Sequence, residues 1–251
     1  MQPIVIVGGF MSFAMLYDSM RDALGALTGR SVFIVETHSY DWLPSVSTWG
    51  WAYLLGKVER TVRQAVRESD TGEVTLIGHS AGGVLARLYL SPQPLWGHAY
   101  RGLDYVDSLI TLGSPHANRG GLARGGRLSR WVERHYPGAC FEEVTYTSVA
   151  GKLIRGERTG TPRERFAYGT YKQISGKGDD WGDGMIPIKS ALLSGARQIV
   201  LEGVGHFTGF GGPWYGSQEV IPLWWQQAGG DHVRTSKSNS DGSGDAVSRG
   251  K

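Results

Sequence analysis

The sequence predicts an α/β protein: a doubly wound, mostly parallel sheet with helices on both faces and a small cap. Three observations carry that reading. Short apolar runs rich in β-branched residues recur along the chain, stretches with helical apolar spacing lie between them, and the two types alternate. The first run, Ile4-Val5-Ile6-Val7, stops at Gly8-Gly9. Val32–Val35, Val74–Ile77, Leu109–Leu112, Val144–Val149 and Ile199–Leu201 follow. Continuous runs without strict polar alternation suit strands buried on both faces. Leu16, Met20, Leu24 and Leu27 predict one helix by their spacing. Trp51, Leu55, Val58, Val62 and Ala65 predict a second, with Ser47-Thr48 in front as N-caps. A third, AGGVLARLYL, stops before Ser91-Pro92.

Three segments leave the alternation. Residues 114–142 hold a Gly-rich loop and a helix around Leu128–His135, and are the expected cap. Residues 152–184 read as a long irregular connection, the kind that serves as a lid or binding loop. Beyond about Ala228 large apolar residues almost vanish. The expected organisation is one domain over 1–228 and a disordered polar tail over 229–251.

Composition removes several function classes. One cysteine in 251 residues excludes a disulfide framework and any cysteine-built metal or cluster site. No apolar run approaches the ~18–20 residues that span a bilayer. The chain opens MQPIVIVGG, already strand-like and without a basic or apolar leader, so a cytoplasmic location is expected. Lys and Arg (26) barely exceed Asp and Glu (23), for a net charge of +3. Arg119, Arg124, Arg127, Arg130 and Arg134 share one stretch, read first as a solvated basic helix and loop. The second reading is a peripheral surface facing anionic membrane headgroups. No basic–aromatic motif accompanies them, so nucleic acid is not an expected partner.

Gly78-His79-Ser80-Ala81-Gly82 follows the strand EVTLI and opens the apolar helix. This is G-x-S-x-G in its required setting of strand, sharp turn and helix. So tight a turn strains the serine backbone and crowds its neighbours, where side chains at Gly78 and Gly82 would collide. It also raises the Ser80 hydroxyl above the sheet edge at a helix N-terminus, whose free N–H groups favour a developing oxyanion.

A serine hydroxyl needs a base, and the base needs an orienting carboxylate. The expected chain order is serine, acid, histidine. Among seven histidines, His206 sits in a glycine loop, Gly203-Val204-Gly205-His206-Phe207, after the last apolar strand, and is the expected base. His116, in Leu112-Gly113-Ser114-Pro115-His116, is its best rival but leaves the acid out of order. Asp183, between two glycines and ahead of Met185-Ile186-Pro187, is the preferred acid, with Asp180 and Asp107 as alternatives. Two oxyanion N–H donors are needed: Ala81 after the nucleophile, and Phe10 in the Gly8-Gly9-Phe10-Met11 loop. No complete G-x-G-x-x-G and no Walker lysine follows that Gly-Gly, so no nucleotide cofactor is expected.

VIVGGF, GHSAGG, ITLGSPH, GDGMIP and GVGHF, in this order, resemble a lipase-type α/β hydrolase from Pro3 to Trp225. HSYDWLPSV, HYPGACF, SVAGK, FAYGTYK and WYGS are similar to a group of cyanobacterial and plastid lipase-like serine hydrolases. The resemblance implies the α/β-hydrolase fold, with nucleophile, acid and base on Ser80, Asp183 and His206 and oxyanion donors on Phe10 and Ala81. Many lipases have His-Gly where this chain has Gly8-Gly9, which removes a supporting side chain and keeps the backbone donor. Some lipases of this type hold a metal near acid and base. Asp179 and Asp180 are candidate ligands here, but no complete set accompanies them, so no metal is expected.

The expected function is a serine carboxylic ester hydrolase acting on lipid or other apolar acyl esters through an acyl-serine. Trp42, Trp49, Trp96, Trp131, Trp181 and Trp214, in or near connecting segments, are candidates to line the acyl pocket. Thioester hydrolysis or acyl transfer by the same machinery is the alternative, and a non-catalytic binding module comes third.

Overall fold

All six apolar runs pair, and all in parallel. The computed structural model describes residues 1–119 and 126–229. Strands β1 (Ile4–Val7), β2 (Val32–Ile34), β3 (Val74–His79), β4 (Val106–Leu112), β5 (Thr145–Lys152) and β8 (Arg197–Glu202) form one sheet in the order β2-β1-β3-β4-β5-β8. The pairings Val7 with Gly78, His79 with Leu112, and Leu112 with Val149 bring the carboxyl ends of four strands to one edge. From β1 the chain steps to one side to make β2, then returns to the other side for β3. The loops after β1 and β3 therefore diverge at a topological switch point, where open α/β sheets leave a crevice.

Strand alternation divides the core between two faces. Val5, Val7, Leu76 and Leu109 point to the face covered by α2 (Thr48–Val66) and α3 (Ala81–Tyr89). Ile4, Ile6, Ile77 and Ile110 point to the other, under α1 (Asp18–Thr28) and under α7 (Ile221–Gln227), the helix after the short α6 (Ile188–Ala191). Ser47 caps α2, accepting the Gly50 N–H. The first helix differs from its sequence pattern, because Ala14–Tyr17 is a 3-10 turn and Leu16 is exposed rather than in the core.

The 152–184 connection is not irregular. It holds α5 (Pro162–Ser175) and a two-stranded antiparallel pair, β6 (Ile154–Arg155) with β7 (Trp181–Gly182). Local chemistry starts α5: Thr161 accepts the Glu164 N–H, Glu164 accepts the Thr161 N–H, and Pro162 stands in the first turn. Only Ala167, Thr170, Tyr171 and Ile174 of this helix are buried, too thin an apolar stripe to stand out as a period.

Within 114–142, α4 (Gly126–His135) packs on α3. The buried Arg87 of α3 donates to Glu133 (3.1 Å) and to the carbonyls of Tyr136 (2.6 Å) and Gly138 (3.1 Å). Arg124 and the 230–251 part of the expected tail lie outside the described residues. Among the described residues no helix is long and apolar enough to cross a membrane.

The 3-10 segment Ser39–Val46 lies beside the loop after β1, with Trp42 edge-on to Phe10. Buried Asp41 holds it, accepting from the His38 N–H (2.8 Å) and the Tyr53 hydroxyl (2.8 Å) and pairing with Lys57 (2.8 Å). Burial alone would raise the Asp41 pKa, but those partners outweigh it and hold it at about 2. Folded below its unfolded value of ~3.9, this carboxylate stabilises the protein above about pH 4, and that contribution is lost as pH falls toward 2. Asp41→Asn is expected to flatten the stability profile between pH 5 and pH 2 by about 2 kcal/mol, measured by urea denaturation.

Candidate active site

Ser80 stands between β3 and α3 with φ +56° and ψ −129°, a strained backbone for a residue with a side chain. The surrounding glycines make the turn sterically allowed. A Cβ on Gly78 would lie 2.3 Å from the Gly83 Cα, and one on Gly82 would lie 2.3 Å from the Val7 carbonyl oxygen. The Ser80 N–H is held by the Leu112 carbonyl at 2.9 Å, which ties the turn to β4.

The loop after β8 delivers His206, and the turn after β7 delivers Asp183. Their backbones meet directly, the His206 N–H donating to the Asp183 carbonyl at 2.9 Å. His206 Nδ1 is 2.7 Å from Asp183 Oδ2, and His206 Nε2 is 3.0 Å from Ser80 Oγ. The structure thus brings Ser80, Asp183 and His206 into one hydrogen-bonded line. Since the carboxylate can only accept, Nδ1 carries the proton and Nε2 faces the serine as acceptor.

Asp183 is buried, and its carboxylate accepts hydrogen bonds on both oxygens. Oδ1 accepts the Met185 and Ile186 N–H groups at 2.9 and 2.7 Å, and Oδ2 accepts the Tyr215 hydroxyl at 2.8 Å beside the imidazole. Tyr215 in turn accepts the Gly151 N–H at 2.7 Å, and its carbonyl accepts the Trp224 indole N–H of α7 at 2.9 Å. Burial first, and then the Asp183 charge, push the phenol well above its ordinary range, so Tyr215 stays a donor. Tyr215 has no signal in the sequence beyond its place in WYGS.

Phe10 and Ala81 both line the cavity that opens over Ser80. The Gly9 N–H is already committed to the Tyr17 hydroxyl at 2.9 Å, which leaves Phe10 as the next backbone donor in that loop. A Cβ on Gly9 would meet the Ser80 Cβ at 2.8 Å, so only glycine lets this loop approach the serine. The cavity has a volume of about 580 Å³, and Leu16, Ile174, Met185, Ile186, Phe207 and Trp214 give it apolar walls. Trp214 is the tryptophan on that wall. Trp42 and Trp51 are core, Trp131 stacks on His135, and Trp49, Trp96 and Trp181 are exposed.

The rival residues fall elsewhere. Buried His116 faces Arg87 (3.3 Å) and Thr111 (3.0 Å), and burial and then the arginine charge keep it neutral. Asp180 pairs with Lys189 at 3.6 Å, and Asp107 accepts from Gln2. Pro115, from the segment expected to form the cap, lines the cavity, while Arg127 of α4 donates to the Val46 carbonyl at 2.9 Å.

The sheet order, the strained serine turn and the three converging loops define the α/β-hydrolase fold. The family model of the PGAP1-like alpha/beta domain matches residues 52–122, which run from α2 through the serine turn to just past β4. No curated protein matches the sequence. Among solved structures, Aspergillus fumigatus lipase B is 15% identical with a TM-score of 0.43, over 60% of this chain and 37% of that one. A predicted CIB-like hydrolase from Thermoplasma acidophilum is 13% identical with a TM-score of 0.45, over 91% and 84%. The α/β hydrolase MGS-MChE2, from the sediment metagenome of the Mar Chica lagoon, is 16% identical with a TM-score of 0.43, over 90% and 91%. This chain thus spans well under half the length of the lipase.

Tyr215→Phe removes a donor to Asp183 and leaves the buried Gly151 N–H without its partner. A loss of about 1–3 kcal/mol of unfolding free energy is expected at neutral pH, read from the urea midpoint at unchanged slope.

Proposed function

We propose that the protein is a serine carboxylic ester hydrolase acting on lipid or other apolar acyl esters. The observation that carries this reading is the Asp183–His206–Ser80 line, at 2.7 and 3.0 Å, opening into an apolar cavity of about 580 Å³. In the proposed reaction Ser80 Oγ attacks the ester carbonyl carbon and its proton passes to His206 Nε2. The Phe10 and Ala81 N–H groups receive the oxyanion. Collapse breaks the acyl–oxygen bond, and the alcohol leaves with the proton held on Nε2. A water molecule then gives its proton to Nε2 and its oxygen to the acyl carbon, and Ser80 departs with that proton restored.

The walls support the substrate class. They are mainly aliphatic and aromatic, and apolar Phe10, Met11, Leu16 and Phe207 are themselves partly exposed at the site. Such a cavity favours an acyl chain over a charged substituent, because a charge there would lose its hydration without a partner.

A fluorophosphonate probe is expected to label wild-type protein at Ser80, located by peptide mass, and to leave Ser80→Ala unlabelled. Folded wild type that neither labels nor cleaves short nitrophenyl esters would exclude the reading. Asp183→Asn keeps the carboxamide volume but loses the charge and upsets the imidazole tautomer, so kcat is expected to fall by about 10⁴-fold with little change in KM. Across a nitrophenyl ester series, kcat/KM is expected to rise with chain length until the cavity is filled. A flat series would remove the acyl-pocket assignment.

A further inference from the structure

A second buried network, away from the acid, ties three loops together around the serine. The Tyr17 hydroxyl, at the end of the 3-10 turn before α1, accepts the Gly9 N–H at 2.9 Å and lies 2.8 Å from His79 Nδ1. His79 Nε2 is 3.1 Å from the His206 carbonyl. A carbonyl only accepts, so His79 carries its proton on Nε2, and Tyr17 must donate to Nδ1. The backbone of the proposed base, the residue before the nucleophile and the loop after β1 are thereby linked through two side chains. Tyr17 and His79 are both buried.

Beside it, with its Oγ 3.5 Å from the Tyr17 hydroxyl, Ser12 grips the Gly9 carbonyl twice, from its backbone N–H at 3.2 Å and from Oγ at 2.7 Å. That carbonyl belongs to the peptide unit whose N–H is that of Phe10. The unit is trans and planar, so fixing the carbonyl toward Ser12 turns the Phe10 N–H to the opposite side. Tyr17 fixes the preceding peptide through the Gly9 N–H. Two adjacent peptide planes are thus held, the first at its N–H and the second at its carbonyl, against the face of Ser80 where only glycine fits.

We propose that Ser12, Tyr17 and His79 form one positioning unit that holds the Phe10 N–H in register with Ser80 and His206 for the oxyanion of the bound ester. The proposal rests on the ester-hydrolase reading for its purpose and on the hydrogen bonds alone for its geometry. None of the three residues touches the reacting atoms in this scheme. Without the clamp the peptide is free to rotate, and the donor must then be ordered during the reaction instead of beforehand.

The test uses the full chain with Ser12→Ala and Tyr17→Phe. On a short nitrophenyl ester each is expected to lower kcat about 10-fold, with KM held within about twofold, less than the loss of a whole donor costs. Affinity for a trifluoromethyl ketone, which forms an oxyanion on Ser80, is expected to weaken by the same factor, while affinity for the carboxylic acid product stays level. Variants that lose thermal stability yet keep kcat and the ketone constant would show a purely structural role and overturn the proposal. If one variant does not fold, the other decides alone. Amide hydrogen exchange at Gly9 is the readout independent of activity. It is expected to be protected in wild type and at least ~10-fold faster in Tyr17→Phe. Unprotected Gly9 in wild type, or unchanged exchange in the variant, overturns the clamp whatever the enzyme hydrolyses. A wild type that takes up no fluorophosphonate overturns the ester reading instead.

Discussion

The backbone at Ser80 is held where a side-chain-bearing residue rarely goes, and packing on every side keeps it there. The hydroxyl can stand clear of the sheet only if the chain turns from β3 into α3 within one residue, at φ +56°. That turn needs α3 to start almost on top of β1 and β3, at separations where Gly78, Gly82 and Gly83 leave no room for a Cβ. The helix must also be pressed down from outside. Its own apolar side chains do this on one face, and buried Arg87, joined to α4, does it from above. Strain of order 1–3 kcal/mol is thus set against a large buried interface, and relaxing the turn would mean unpacking the helix.

Position and charge are supplied separately in the rest of the site. Parallel register sets position: the carboxyl ends of β1, β3, β4 and β5 align at one edge, so loops from distant parts of the sequence converge without long excursions. Hydrogen-bond saturation sets charge. Asp183 is buried yet surrounded by four donors, so its oxygens keep hydrogen-bond partners away from water. Two of those donors are backbone N–H groups of its own turn, which explains why an acid followed by Gly184-Met185-Ile186 suits this role.

The reach of the sequence follows from which physical signals are local. Both-face burial makes the inner strands β1, β3 and β4 rich in continuous apolar residues, and the partly exposed edge strands β2 and β8 keep short apolar runs, so all six were legible, and the serine turn was legible because its steric demands fall on adjacent glycines. Ser80, His206 and Asp183 could be named because loop glycines and chain order mark them, and the structure brings the three together. Helix α5 was missed although its capping box, Thr161 to Glu164, lay in plain view, because its buried stripe is too thin to show as a period. Tyr17, Ser12 and Tyr215 were beyond reach for another reason. Their importance lies in hydrogen bonds to residues such as His79 and Asp183, 62 and 32 positions away, or to a carbonyl whose orientation no composition reveals. The spacing puts Leu16 on one helical face with Met20 and Leu24, whereas the 3-10 turn carries it to the cavity wall.

Two imidazoles, those of His79 and His206, lie with centroids 4.7 Å apart in a buried site, and their partners give them different parts. Burial, and then the neighbouring His206 charge, push the His79 pKa well below its usual value, and the hydrogen bond to the His206 carbonyl does not offset them. Among the described residues no carboxylate is bonded to His79, whose ring nitrogens meet a phenol and a carbonyl. His206 instead has Asp183 at 2.7 Å, so an imidazolium forming there is paired as it forms. A neutral His79 keeps Nε2–H as donor and Nδ1 as acceptor, the one arrangement that satisfies both the His206 carbonyl and Tyr17. In the proposed reaction proton traffic is therefore confined to one ring, while the adjacent ring, with the same chemistry and a different set of partners, stays a fixed support.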